Sequence, residues 1–267
     1  MLDKLGLPKS TYYRYAGGKS PKPDRWSDVR PLVRGIFSRT PNGMGYRQVA
    51  MALKAEHGLC ISGKTVLKLM REEGLRCRIR RKRYDSHRGE QGKVAENILD
   101  RDFGAQAPMT KLATDVTEFK VAGGKAYLSP VMDLYNNEIV AWSVTRSPNF
   151  AQAMEMLDGL GPRLEGPALL HSDQGWQYQQ LAYQRRLEEM GITQSMSRKA
   201  TCLDNACMEG FFGHMKDEFY RGREFDSFDS FKDQLNDYIV YWNTRRYQAR
   251  LKGMAPVQYR SHSMRAA

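Results

Sequence analysis

From Lys111 onward the chain switches between two hydrophobic periods in a set order, and that order limits the possible folds more than any composition does. Lys111 to Val121 alternates as a strand, a Gly123-Gly124 turn leads to Ala126 to Met132, and Asn136-Asn137 turns the chain into Ile139 to Val144. Three strands in succession predict an antiparallel meander. Helical spacing then runs from about Phe150 to Leu160, followed by a strand at Ala168 to His171 and a helix from about Gln179 to Met190. A short strand at Ile192 to Met196 comes next, then a helix capped by Asp204 or Asn205, and a last amphipathic helix over about Phe228 to Thr244. The fold class this order predicts is α/β, a mixed five-stranded sheet flanked by helices.

Within that frame three acidic residues stand out. Asp173, in His171-Ser172-Asp173-Gln174-Gly175, sits where the buried run Ala168-Leu169-Leu170 ends and a turn opens. After 35 intervening residues comes Glu209, on a helix whose Met208, Phe211, Phe212, Met215 and Phe219 gather on one side. Lys216 shares Glu209's polar flank two turns on, roughly 10 Å away at 1.5 Å per residue. Asp115, in Thr114-Asp115-Val116-Thr117, lies in the first strand of the sheet. Each acid alone has a plain explanation as a turn or surface residue. Three carboxylates drawn to one sheet edge repel one another unless a cation sits among them, so together they predict a metal site. Hard oxygen donors suit Mg²⁺, with Mn²⁺ as substitute, and two such ions about 3.5 to 4 Å apart can serve both sides of a phosphodiester. Asp115, Asp173 and Glu209 are therefore the candidate catalytic and metal-binding residues. Asp133 reads as a turn acid and His214 as a solvent-side helix residue. Trp176 and Tyr178 read either as stacking platforms for an unpaired base or as packing residues.

The chain's formal net charge of +12 is unevenly placed. Residues 1 to 110 hold 23 Lys+Arg against 11 Asp+Glu, and residues 111 to 267 hold 19 of each. A basic part joined to a neutral part reads as a polyanion-binding module on something else. In the basic part, Tyr46 to His57 forms one helix stopped by Gly58; Ser62 caps a second through Glu73, closed by Gly74. Together they predict a helix-turn-helix-like unit. Directly after it, Arg76, Arg78, Arg80, Arg81, Lys82 and Arg83 place six positive charges in eight residues, a run suited to gripping phosphate. The expected divisions are 1–35, a short helix capped by Ser10 and a linker; 36–83, the basic helical domain; 84–107, a polar connector with partial helix; and 108–262, the catalytic core. Four scattered cysteines exclude a disulfide framework, and His57, Cys60, Cys77 and His87 fit no common zinc spacing. No signal peptide and no membrane span are read, which makes the expected location cytoplasmic.

In this arrangement the chain resembles the DDE transposases of the retroviral-integrase-like superfamily, most closely the second-frame product of bacterial insertion sequences translated from two overlapping frames. The pieces that carry the resemblance are Gly45-Tyr46-Arg47, Thr114 to Thr117, His171 to Gly175 with Tyr178, Asp204-Asn205-Ala206 through Glu209, Phe211-Phe212, Lys216, and Asn243, Arg246, Leu251 and Pro256. The resemblance implies an RNase H-like core, magnesium, and DNA cleavage with strand transfer. It also implies DNA contacts by Tyr46, Arg47, Lys216 and Arg246. Expected partners are double-stranded DNA at element ends and target, further copies of the chain on that DNA, and the first-frame segment or its fusion, in a nucleoid-associated setting. Gln248 stands where such sequences usually carry histidine, and Trp176 where a small residue is commoner. The same acids would also serve a hydrolytic RNase H-like nuclease, and residues 45 to 83 alone would serve a non-catalytic DNA-binding protein.

Overall fold

The computed structural model describes residues 24–78, 94–198 and 202–266. Six hydrogen-bonded stretches make one sheet: β1 (Lys111–Thr114), β2 (Thr117–Val121), β3 (Gly124–Asp133), β4 (Glu138–Thr145), β5 (Ala168–Ser172) and β6 (Ile192–Met196). β1 and β2 both pair antiparallel with β3, so they are two pieces of the strand expected over 111 to 121. The sheet is thus five strands wide, in the order β4, β3, β1, β5, β6, with β5 and β6 added in parallel. The break falls at Asp115-Val116, where the Asp115 carboxylate accepts the Val116 N–H at 2.7 Å. A side chain that bonds its neighbouring backbone competes with the ladder, and here it interrupts the strand.

Both sheet faces are covered. On one, Ala113, Phe119 and Leu128 pack against α6 (Ala206–Met215) and α7 (Phe228–Thr244); on the other, Leu112, Val131 and Leu170 pack against α4 (Phe150–Leu160) and α5 (Leu181–Glu189). Two helices open on side-chain caps that the sequence reading did not name: Asn149 accepts the N–H of Gln152 at 2.9 Å to open α4, and Ser227 accepts that of Ser230 at 3.1 Å to open α7. A final helix, α8 (Pro256–Ala266), was not expected from the tail.

The basic part, within the described residues, is a three-helix module with its own core. α1 (Val29–Phe37), α2 (Tyr46–His57) and α3 (Gly63–Glu72) bury Val33, Ile36, Val49, Leu53, Val66 and Leu69 against one another. Gly58 closes α2 at φ +68°, and Ser62 Oγ accepts the Thr65 N–H at 3.2 Å. α1 is an addition to the expected pair, and the boundary placed at residue 36 falls inside its last turn. Its periodicity is obscured by Pro31, tolerated in a first turn where no N–H partner is needed, and by Gly35. The Ser10 helix, Arg80, Arg81, Lys82, Arg83 and His87 lie outside the described residues. The described part of the connector, 94–107, holds no helix; it runs along the sheet edge, with the N–H groups of Ile98 and Leu99 donating to Ser195 Oγ.

Candidate active site

Parallel pairing sets the first two acids side by side. β1 and β5 run in register with Ala113 opposite His171, so two residues further along each chain Asp115 comes opposite Asp173, just beyond both C-terminal strand ends. In open α/β sheets that edge is where ligands bind. Asp173 is turned by its own bond, Oδ1 accepting the Gly175 N–H at 2.9 Å. A Cβ at Gly175 would stand 2.9 Å from that same oxygen, so glycine is required for the turn to hug the carboxylate. His171, fully buried one residue before the strand's last, spans β6 through Ser195 Oγ (2.9 Å) and the chain beyond through Ser197 Oγ (3.1 Å). Burial pushes its imidazole down to about 4, so at neutral pH it is an uncharged strut.

Glu209 arrives on α6, which is pinned to the same strand end. Asn205 Nδ2 donates to the Thr114 carbonyl at 3.1 Å, while the buried Asp204 accepts from Arg101 Nε (2.7 Å), Arg198 Nε (3.1 Å) and Asn97 Nδ2 (3.0 Å). Those two guanidinium groups and the Arg198 N–H hold the Asp204 carboxyl well below the usual range despite its burial. Met208, Phe211, Phe212 and Met215 bury the opposite side of the helix.

Electrostatics tie the acids together. Burial first, then the Asp173 carboxylate, push Asp115 up to about 8, with Glu209 adding to the rise and Lys216 and the Val116 N–H opposing it. Asp173 is also raised by the protein crowding it, although its outer edge remains open to water, and Glu209 is raised by burial. Asp115 and Asp173 thus form one acidic pair. Glu209 acts on Asp115 through space, and among the described residues no three acidic, histidine or cysteine side chains close into a ready metal cage. The donor chemistry nevertheless fits a divalent cation: paired hard oxygens, poorly compensated, whose mutual repulsion a cation relieves.

Lys216 follows α6 in a widened turn, with its ammonium 5.4 Å from the centre of the Phe119 ring and close enough to Asp115 to lower that carboxyl. Burial, then Arg221, hold Lys216 below the ordinary lysine range. The other expected contacts divide. Arg47, Arg76 and Arg78 are exposed on the helical module, and Tyr46 is half-buried with its ring against Gly63. Arg246 is buried instead, its guanidinium bonded to Glu218 at 2.7 to 3.1 Å and seated over Trp242; it is an internal ion pair, and the surface cation expected there is not found. Tyr178 is fully buried against Tyr183, which removes it from base stacking, whereas Trp176 is 50% exposed beside Asp173. Asp133 and His214 sit as expected, the first a buried turn acid accepting the Met109 and Tyr135 N–H groups, the second solvent-facing. Gln248 is buried, accepting from Asn137 Nδ2 at 2.9 Å. The sequence marked Asp204 and Asn205 only as helix caps and His171 only as part of a motif, and it gave no signal for Ser195 or Ser197; their bonds to Arg101, Arg198, Thr114 and one another are set by the tertiary fold.

A mixed sheet with helices on both faces and an acidic pair beyond parallel strand ends, behind a small helical module, defines a phosphodiester-processing enzyme of the integrase-core class. Residues 105–202 and 209–264 match models described as Integrase core domain, and residues 26–83 match an HTH-like domain. The "Putative transposase InsK for insertion sequence element IS150" of Escherichia coli (strain K12) is 45% identical over 266 residues, 98% of this chain and 93% of that protein. The "Transposase InsF for insertion sequence IS3A" of the same organism is 31% identical, covering 87% of this chain and 82% of that one. An "Uncharacterized transposase-like protein" of Haemophilus influenzae is 48% identical over 80% of this chain and all of its own length. Among solved structures, the HTLV-2 integrase catalytic core domain in complex with magnesium shows 14% identity and a TM-score of 0.45, over 58% of this chain and 98% of that one. The chain belongs to the insertion-sequence transposases with an integrase catalytic core, a family of polynucleotidyl transferases.

Proposed function

We propose that this transposase frees a 3′-hydroxyl at the end of its insertion sequence and joins it to another phosphodiester, using Asp115, Asp173 and Glu209 as the metal-binding acids. The observation that carries the reading is the Asp115–Asp173 pair at the C-terminal ends of adjacent parallel strands, Asp115 raised by burial and then by the Asp173 carboxylate, Asp173 raised by burial. Mg²⁺, or Mn²⁺ in its place, would supply Lewis acidity to the attacked phosphate and its leaving oxygen, with two ions dividing those tasks. The chain's own residues do the rest. Asp115, whose carboxyl feels both Asp173 and Glu209, would present the shared carboxylate. Asn205 keeps Glu209's helix on the strand end, and Lys216 offers a partly desolvated ammonium to a phosphate beside the acids. On the helical module Tyr46, Arg47, Arg76 and Arg78, with Arg80, Arg81, Lys82 and Arg83 beyond the described residues, bind duplex DNA. Further copies on the same DNA, and the first-frame segment, complete the assembly in the nucleoid. Within the described residues no helix is long and apolar enough to cross a membrane.

The test uses labelled duplex carrying the element end, with Mg²⁺. Asp115→Asn, Asp173→Asn and Glu209→Gln each lose strand transfer by about 10³-fold or more while end binding stays within about threefold, as expected for groups acting only on the reaction. Joined product from any one of them removes that residue from the mechanism. Cut but never joined product from the wild type assigns a hydrolytic nuclease instead.

A further inference from the structure

After α6 the chain widens into the turn Lys216–Tyr220, where the Arg221 N–H reaches past the normal partner to the Lys216 carbonyl at 2.8 Å. Widened turns strand carbonyls that a regular helix would satisfy, and they gather at functional positions. Here one side chain from the helical module takes up two carbonyls: Asn42 Nδ2 donates to Asp217 O at 2.6 Å and to Arg221 O at 2.9 Å. Asn42 lies between α1 and α2, more than 170 residues away in sequence, and it is itself held. Its carbonyl accepts the Arg78 N–H at 2.9 Å, and Cys77 Sγ bonds the next carbonyl, of Gly43, at 2.9 Å. One asparagine therefore touches both the basic segment after α3 and the turn that bears Lys216.

The far side of the turn is held by the core. Tyr220 Oη accepts the Lys120 N–H and donates to the Lys120 carbonyl, at 3.0 and 2.8 Å, and Tyr238 Oη and Arg246 both donate to Glu218. The core thus fixes residues 218 and 220. Asn42 fixes 217 and 221 from the module.

We propose that Asn42 is a positioning residue of the active site: by holding the Lys216–Tyr220 turn on the helical module, it sets where the Lys216 ammonium stands relative to Asp115 and makes that placement depend on how residues 24–78 are seated on DNA. The kinetic consequence rests on the strand-transfer reading above, and the structural one does not. Asn42→Asp keeps the size of the side chain, removes both donors and faces an oxygen toward two carbonyls; Asn42→Ala removes the contact without that repulsion.

The experiment compares wild type, both variants, Lys216→Ala and the Asn42→Asp/Lys216→Ala double variant, as full chains. Hydrogen exchange is read over residues 216–221, and transfer of labelled end DNA is read with Mg²⁺. Expected are about tenfold faster exchange in the turn for both Asn42 variants, with melting temperature little changed, and about tenfold slower transfer at saturating DNA with half-saturation moved less than about twofold. In the Lys216→Ala background the Asn42→Asp substitution costs less than about twofold, because its effect runs through a residue already gone. Unchanged exchange in the turn overturns the proposal, as does a full additional tenfold loss on top of Lys216→Ala, or a loss confined to DNA affinity. A wild-type protein that joins nothing counts against the activity assigned above and leaves the exchange measurement to decide Asn42.

Discussion

Asp115 carries two liabilities: it breaks the strand it belongs to, and it stands beside another acid under burial. A carboxyl raised above its ordinary range keeps a proton that the unfolded chain has released. Between the ordinary carboxylate range and pH about 8 the native state therefore binds more protons than the unfolded state, and stability drains as pH rises through that window. EDTA-treated protein should accordingly melt lower at pH 8.5 than at pH 6, and Mg²⁺ should restore it at the higher pH. Asn in place of Asp115 should flatten the slope and raise melting at pH 8.5, on the order of 2 to 4 °C for each kcal/mol relieved. Parallel pH profiles for the variant and wild type would discard this account of the pair. The adjacency of Asp115 and Asp173 at one sheet edge was legible in the sequence because each follows an apolar strand, the run before Asp173 above all. Arg246 was misread because nothing local to Arg245-Arg246-Tyr247 says which arginine turns inward; the choice is made by Glu218, 28 residues away.

Elements were legible where the local code is complete. The helices at 46–57, 150–160 and 228–244 and the strand at 192–196 start and stop where apolar period, cap and turn residue agree. They failed where one residue interrupts the pattern, as Pro31 and Gly35 do in α1, or where tertiary bonds decide, as at the β1–β2 break. α6 shows the second case. Asn205 flanks the helix as expected, yet its side chain makes no cap bond and crosses to the Thr114 carbonyl. That bond ties Glu209's helix to the end of Asp115's strand. Removing it in Asn205→Ala leaves a buried carbonyl unpaired, a cost of about 1 to 3 kcal/mol. Urea denaturation should show a lower midpoint at unchanged slope, and transfer should fall more than end binding does. If stability drops while transfer at saturating DNA is untouched, α6 does not need this tether to place Glu209.

At the scale of the whole molecule, charge is sorted by ion pairing as well as by sequence. The acids of the helical module are largely consumed along α1: Arg30 binds Asp24, Glu72 and Glu73, Arg34 binds Glu73, and Arg39 binds Glu56. Cations outside that network, Arg47, Arg76 and Arg78 among them, remain exposed, and the neutral core, with 19 charges of each sign over residues 111 to 267, adds little net attraction. DNA affinity should therefore reside in the module and chemistry in the core, joined at Asn42. Phosphate contacts release condensed counterions, so each one contributes about 0.9 to the slope of log affinity against log salt on duplex DNA. Replacing both Arg76 and Arg78 with glutamine should lower that slope by about 1.8, whatever the DNA sequence. Asp115→Asn should leave the slope within about 0.5 of wild type, since it removes no phosphate contact. Fluorescence anisotropy on one labelled end across a salt series measures both. An unchanged slope in the arginine variant would move the phosphate grip off this segment, and a large change in the Asp115 variant would place much of the binding at the carboxylates themselves.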